Sequence, residues 1–501
     1  MSGPDRCMII RLRWSPSLAA LPIIHDLNSN ELDNLIKAWR HIQTLDPDLL
    51  PDRDKKNSFF TIGGLHGEPF RGAGYNNSQW WGGYCHHGNV LFPTWHRAYV
   101  LALENALRSS DDQTANCGIP GIFLEKEYKG KPNPLYSYKL KKKVVDRLSA
   151  FPDAGYSKPE GYETCRYPYS GLNIKAWLTL GFINDEGEQI ITRRGNTREK
   201  FWDCLRVPHY TVFSNTTSAH KYNDEHFIET KSDATPKTTD DPVILSPAVA
   251  VESPHGNIHL AIGGVEVPIQ DVDQYSGANG DMGENDTASF DPIFYFHHCF
   301  IDYLFWTWQT KYEMTNPDDI SIWPEYPGTN STDAQGPTPG IQGNTWLTLE
   351  TPLRPFFKYD IKRKSTDGVI NIEKIGYTYK KPENGKGSVF NTPIPPIPSQ
   401  PPILRISGIN RGTIAGSFAL AVSHNDNDDN EPKVKAIESV FSRWHVLGCA
   451  NCQTHLNTTA FVPLFEIGES HPKDFKLAVH LHTRGNPRGA RIHDVTLGKL
   501  V

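Results

Sequence analysis

Residues 253–264 read SPHGNIHLAIGG, and residues 290–302 read FDPIFYFHHCFID. In the first, Ser253 is a good N-cap, Pro254 suits the first helical position, and Gly263–Gly264 ends the run. In the second, Asp291 and Pro292 repeat that start, and the helix they open is apolar almost all round. A helix without a polar face belongs in a protein interior. His255 and His259 stand four residues apart and share one helix face. Two imidazoles so placed can hold one metal ion, or can make two ordinary polar contacts. His297 and His298 are adjacent and point about 100° apart, so only one of them readily joins the same site. Burying two unpaired imidazoles among phenylalanines costs free energy that metal ligation would relieve. Asp302, one turn after His298, is placed to orient it.

Upstream, GLHGEPF (64–70) and CHHGNVLFPTWHRAY (85–99) add His66, His86, His87 and His96. A helix is expected from Thr94, with Val100, Leu103 and Leu107 facing inward. Three of these histidines plus three of the later set would make two all-imidazole sites, and imidazole suits zinc, copper, iron and nickel. No carboxylates are interleaved with them, which disfavours di-iron, di-manganese and hydrolytic di-metal centres. A zinc protease would carry its general-base glutamate directly after the first histidine, where Gly256 stands. Two three-histidine sites with open positions suit paired copper ions that bind dioxygen between them.

Composition agrees with a loop-rich globular protein. The chain has 501 residues, with 40 glycines, 38 prolines, 20 histidines and 8 cysteines. At roughly 150 residues per domain that is two to four units. A net charge of -6 argues against a nucleic-acid partner. The mean hydropathy of -0.50 and the lack of an 18-residue apolar run argue against a membrane span. Arg11 and Arg13 break the only candidate signal core, and thinly spread cysteines fit a reducing compartment, so a cytoplasmic location is expected.

Along the chain, Asn28 and Glu31 resemble a capping box opening a helix through Leu32, Leu35, Ile36, Trp39 and Ile42. Residues from about 110 to 250 show few periodic segments. Residues 381–402 form a stiff proline-rich linker. Beyond it, ILRISGI, SFALAVS, KVKAIES, AFVPLFEI and KLAVHLHT alternate with polar turns, which reads as an antiparallel β domain over 403–501. The acidic run 424–431 is expected in a hairpin loop.

CHHGNVLFPTWHRAY, SPHGNIHLAIGG and FDPIFYFHHCFID, in that order along the chain, resemble the copper-A and copper-B motifs of tyrosinases, catechol oxidases and molluscan haemocyanins. The resemblance covers most of the chain and is strongest to filamentous-fungal pro-tyrosinases of the Aspergillus type. It implies a mainly α catalytic domain over 1–380, with a central helix bundle holding two copper ions, plus the C-terminal antiparallel β domain. Copper-A ligands would be His66, His87 and His96, and copper-B ligands His255, His259 and His298. Cys85 matches the family's thioether to the second copper-A ligand, His87, or is a buried thiol. Phe92 and Phe294 match aromatics that pack on ligand rings, as core packing would also explain. Glu252 matches an acidic residue that holds a water near an incoming phenol; a solvent-exposed first-turn glutamate is the alternative. The family's asparagine after the first copper-B ligand is replaced by Gly256, which weakens the case for monophenol hydroxylation more than for catechol oxidation.

The implied reaction takes O2 as co-substrate, hydroxylates phenols such as tyrosine, and oxidises catechols such as DOPA to o-quinones on a route to melanin-type pigment. The implied proenzyme keeps its site covered until a protease cuts within 381–402. Phe441 is the preferred shielding side chain and Phe461 the second choice, with plain β packing an alternative for both. Cys449 and Cys452 form a CxxC that family precedent links to copper loading, against a disulfide. Tyr377 and Tyr379 match the tyrosine motif that closes the catalytic domain. A homodimer is implied by the fungal relatives. One departure is clear: no PYWD-like segment follows the copper-A helix in 102–123, and SGLNIKAWLTLG (170–181) is shortened. A catechol oxidase without efficient monophenolase activity and a haemocyanin-like dioxygen-binding protein remain the alternatives.

Overall fold

The structure, a computed structural model, describes residues 29–67, 83–108, 123, 125–145, 157–166, 181–183, 189–191, 197–228, 247–264, 280–331, 341–356, 367–377, 379, 403–410, 416–424, 433–442, 457–463, 475–481 and 496–500. Eight α-helices lie among them: α1 (Ser29–Thr44), α2 (Phe59–His66), α3 (Phe92–Arg108), α4 (Thr197–Cys204), α5 (Tyr210–Ser214), α6 (Thr216–Asn223), α7 (Glu252–Gly263) and α8 (Ile293–Lys311). Three short antiparallel ladders pair β1 (Glu127–Tyr128) with β2 (Lys131–Pro132), β3 (Val144–Val145) with β4 (Ser157–Lys158), and β5 (Gly181–Ile183) with β6 (Gln189–Ile191).

α8 is the axis of the helical core. Leu304, Phe305 and Trp308 on it are wholly buried, and α3 and α7 both pack against it. The helix starts at Ile293, one residue later than the Asp291–Pro292 pair predicts. Asp291 still serves its first turn, accepting from Ile293 N at 3.0 Å, and is itself gripped by the Arg166 guanidinium. α3 begins at Phe92 rather than Thr94, because Pro93 fits the first turn, where no backbone donor is needed. α7 begins at Glu252, so Ser253 is inside the helix and does not cap it. The proposed Asn28–Glu31 box lies outside the described side chains.

α2 forms in spite of Gly63 and Gly64, which lower helix propensity. A Cβ on Gly63 would come within 2.7 Å of the Phe290 ring, so this helix exists by close tertiary packing. Trp39, Phe59, Trp95 and Tyr295 complete a dense aromatic interior.

The C-terminal strands are β7 (Ile403–Asn410), β8 (Phe418–His424), β9 (Lys433–Val440), β10 (Asn457–Pro463), β11 (Phe475–Leu481) and β12 (Thr496–Leu500). They form two three-stranded antiparallel sheets, β10–β7–β12 and β11–β8–β9. Five match the expected runs; β12 was not expected. The β8–β9 register pairs His424 with Lys433, so the acidic run does link a hairpin. β9 packs on α7 and β10 on α6, which sets these sheets over the histidine-bearing helices. No described helix is long and apolar enough to cross a membrane.

Candidate metal centre

The histidines arrive on five separate pieces of backbone. His66 ends α2, His96 lies in the first turns of α3, His255 and His259 lie on α7, and His297 and His298 on α8. His87 sits on a loop whose next residue, Gly88, has a φ of 69° and donates its N–H to Glu252 Oε1 at 2.6 Å. All seven side chains are buried.

Backbone carbonyls set three of the rings. His66 Nδ1 meets Asn285 O at 3.0 Å, His96 Nδ1 meets Phe92 O at 2.8 Å, and His259 Nδ1 meets Met282 O at 2.8 Å. A carbonyl oxygen can only accept, so each Nδ1 carries the proton and each Nε2 keeps its lone pair. This is the usual support of a metal-bound imidazole. His87 Nδ1 faces the Asn285 side-chain amide at 3.3 Å, so Asn285 serves two rings with two different groups.

On the other side, His255 Nε2 lies 3.0 Å from His259 Nε2 and 3.3 Å from His298 Nε2. Nitrogens that share one ion at roughly 2.0–2.1 Å stand about 3 Å apart, so this spacing suits a common metal. His96 Nε2, His255 Nδ1 and His298 Nδ1 are buried with no hydrogen-bond partner. Burial pushes His96 and His259 down to about 3, and holds His255 and His298 well below the ordinary imidazole range. Neutral imidazoles with inward lone pairs are what a cuprous or cupric ion requires. The donor set therefore fits copper.

The candidate ligand atoms cluster in three groups, each within 4.8 Å, the first two sharing His66: His66, His96 and His298; His66, Cys85 and His87; His255, His259 and His297. His298 thus stands between the two expected sets, its ring stacked on His96 at 4.4 Å. His297, expected as a neighbour, reaches His255 and His259. His86 lies apart, beside Trp95.

Phe92 and Phe294 pack on the histidine rings. Phe92 is 4.7 Å from His96 and 4.9 Å from His255, and Phe294 is 4.1 Å from His298. The Phe441 ring lies 4.1 Å from His259 and 5.7 Å from His87, whereas Phe461 packs on His220. Glu252 is buried and accepts from Gly88 N, Thr216 N and Thr216 Oγ1, which overturns the picture of a solvent-exposed glutamate. Asp302 does not orient His298. Its carboxylate is taken by Arg97 Nε at 2.5 Å, Tyr377 OH at 2.7 Å and Tyr379 OH at 2.5 Å. Arg97 draws it because a buried guanidinium needs a counter-charge more than a neutral ring needs an acceptor. Cys449, Cys452 and the 381–402 linker lie outside the described residues.

Residues 56–311 match the common central domain of tyrosinase. The chain belongs to the tyrosinase family. It is 57% identical to the tyrosinase of Aspergillus oryzae over 95% of both chains. The fold superposes on the tyrosinase of Burkholderia thailandensis with a TM-score of 0.71 at 36% identity, covering 90% of this chain and 92% of that one. It also superposes on the holo-protyrosinase of Aspergillus oryzae with a TM-score of 0.54 at 18% identity, covering 87% and 83%. As a tyrosinase, the chain is a copper oxidoreductase, and its histidine groups fit a dinuclear copper centre acting on phenols with O2.

Reading the sequence did not find Asn285 or Thr216. Asn285 and Thr216 act on the site through long-range contacts, and only Asn215, whose side chain caps α6 by accepting from Ser218 N, marked that region locally.

Proposed function

We propose that this tyrosinase is made latent, with Phe441 in the position of a substrate ring, and is activated by a protease cutting within 381–402. The observation that carries the reading is the 4.1 Å stacking of Phe441 on His259, a ring whose Nδ1 is anchored on Met282 O. His66, His87 and His96 would hold one copper ion and His255, His259 and His298 the other. Bound there, the two ions supply the redox chemistry that activates O2.

The protein's own contribution is orientation, dryness and proton handling. Phe92 and Phe294 keep the ligand rings from turning and exclude water. The Glu252 carboxylate, held in place by the Gly88 and Thr216 donors, is the group that would hold a water to take the phenol proton. Cys85 and His87 lie within one 4.8 Å group, which supports a thioether between Sγ and the His87 ring carbon. That bond forms with loss of two hydrogens to O2 as oxidant and would fix a ligand carried on a loop. Cys449 and Cys452 are assigned to copper loading on their CxxC spacing.

Gly256 favours a second reading, a catechol oxidase with weak monophenolase activity, because it leaves no side-chain amide beside His255. Copper reconstitution followed by limited proteolysis tests both, with tyrosine and 4-methylcatechol as substrates. Two coppers per chain and catechol turnover that rises on cleavage are expected. Cleaved, loaded protein that binds O2 and leaves catechols untouched would mean a haemocyanin-like carrier instead.

A further inference from the structure

Three residues before Phe441, Glu438 on β9 reaches back to the helical core. Its Oε1 accepts from Ser253 Oγ at 2.7 Å, and its Oε2 pairs with Lys200 Nζ. Ser253 lies two residues before His255, and Lys200 lies on α4, which packs along α7. One cavity of about 160 Å3 is lined by Ser253, His255, Glu438 and Phe441 together. The segment 438–441 therefore presents two chemical groups to the centre at once: a carboxylate on Lys200 and Ser253, and a benzene ring on His259.

We infer that Lys200 and Ser253 form an anionic subsite for phenols and catechols that bear a carboxylate, occupied in the latent chain by Glu438. The inference rests on the reading of Phe441 as a stand-in for the substrate ring. When β9 is drawn off, a substrate carboxylate takes the place of Glu438 on Lys200 and Ser253 while its ring takes the place of Phe441. Glu252 lines the same cavity. There it accepts from Gly88 N, Thr216 N and Thr216 Oγ1.

The test uses copper-loaded full chain cleaved within 381–402. The KM for 3-(3,4-dihydroxyphenyl)propionate is compared with that for uncharged 4-methylcatechol. Lys200→Met is expected to raise the ratio of the two by about tenfold, as losing one charge-assisted hydrogen bond does. Lys200→Arg should restore most of it, and Ser253→Ala should shift it in the same direction by about threefold. Independently, calorimetry on metal-free cleaved protein should show 3-phenylpropionate binding more tightly than 3-phenylpropanamide, with the difference lost in Lys200→Met. A ratio unchanged in both Lys200→Met and Ser253→Ala overturns the inference, as does equal binding of acid and amide. If the unsubstituted protein fails to oxidise 4-methylcatechol at all, the phenol-oxidase reading falls, and this inference with it. Should Lys200→Met not fold, Ser253→Ala and the acid–amide comparison decide alone.

Discussion

The Phe441 ring and the His259 imidazole lie 4.1 Å apart with their planes 22° from parallel. A substrate ring cannot enter that space while Phe441 fills it. Phe441→Ala should therefore raise 4-methylcatechol turnover by the intact, copper-loaded chain by about tenfold or more, since the open state becomes the dominant one. The gain from later cleavage should shrink in proportion. A variant as latent as the parent would show that other parts of the C-terminal sheets cover the site.

Gly256 faces the same ring. A Cβ placed there would lie 3.5 Å from Phe441 Cβ, an ordinary contact, so a larger side chain at 256 points into the substrate space. Gly256→Asn is expected to raise the monophenol-to-catechol rate ratio of the cleaved enzyme several-fold, roughly what one well-placed hydrogen bond supplies. An unchanged ratio would remove position 256 from the account of phenol hydroxylation.

Asn285 contacts Cys85 Sγ at 3.6 Å and His87 Nδ1 at 3.3 Å through its side chain. Asn285→Ala keeps the backbone carbonyl on His66 and removes only those contacts. Copper affinity at the first site should fall about tenfold or more, as loss of a ligand's supporting bond does elsewhere. Competition with a chelator, read by elemental analysis, checks this. Peptide mass analysis would also show less thioether.

Arg97 and Asp302 form a buried ion pair across 205 residues; Gln309 and the Val369 and Ile370 carbonyls accept from the rest of the guanidinium, and Tyr377 and Tyr379 donate to the carboxylate. Asp302→Asn leaves the Arg97 guanidinium buried without its counter-charge. Unfolding in urea should show a loss of about 3–5 kcal/mol. A loss under about 1 kcal/mol, the level of an exposed pair, would contradict the burial of this pair.

The metal-free protein should weaken in acid. Burial pushes His86, His96 and His259 down to about 3 from the ordinary 6.5. The unfolded chain takes up protons at these positions below about pH 6.5, and the folded chain does not until near pH 3. Their contribution is present in full above 6.5 and is lost as pH falls through that window. Copper competes with protons for the ligating rings, so Tm scans from pH 7.5 to 4.5 should fall less steeply for loaded protein.

Much of the site was legible because imidazoles are chemically conspicuous. The spacing of His255 and His259 alone puts them on one face, and the family resemblance points to Phe441, whose ring stacks on His259. Asp302 was misread because a partner one turn away is visible in a sequence and Arg97, far upstream, is not. The supports of His66 and His259 were hidden for another reason: Asn285 and Met282 act through backbone carbonyls, which every residue carries. α2 was hidden by its own glycines, since the close approach of Gly63 to Phe290 is a tertiary fact. α4 to α6 were missed because short helices have too few turns to show a period.

Residues 282 and 285 hold rings from opposite halves of the centre, one from α7 and one from α2. Four consecutive residues therefore act as a spacer gauge: any shift of that short segment moves both halves together and leaves the gap between them nearly constant. Drift in the surrounding helices is then absorbed elsewhere, and the spacing that a two-centre reaction depends on is inherited from a single piece of chain.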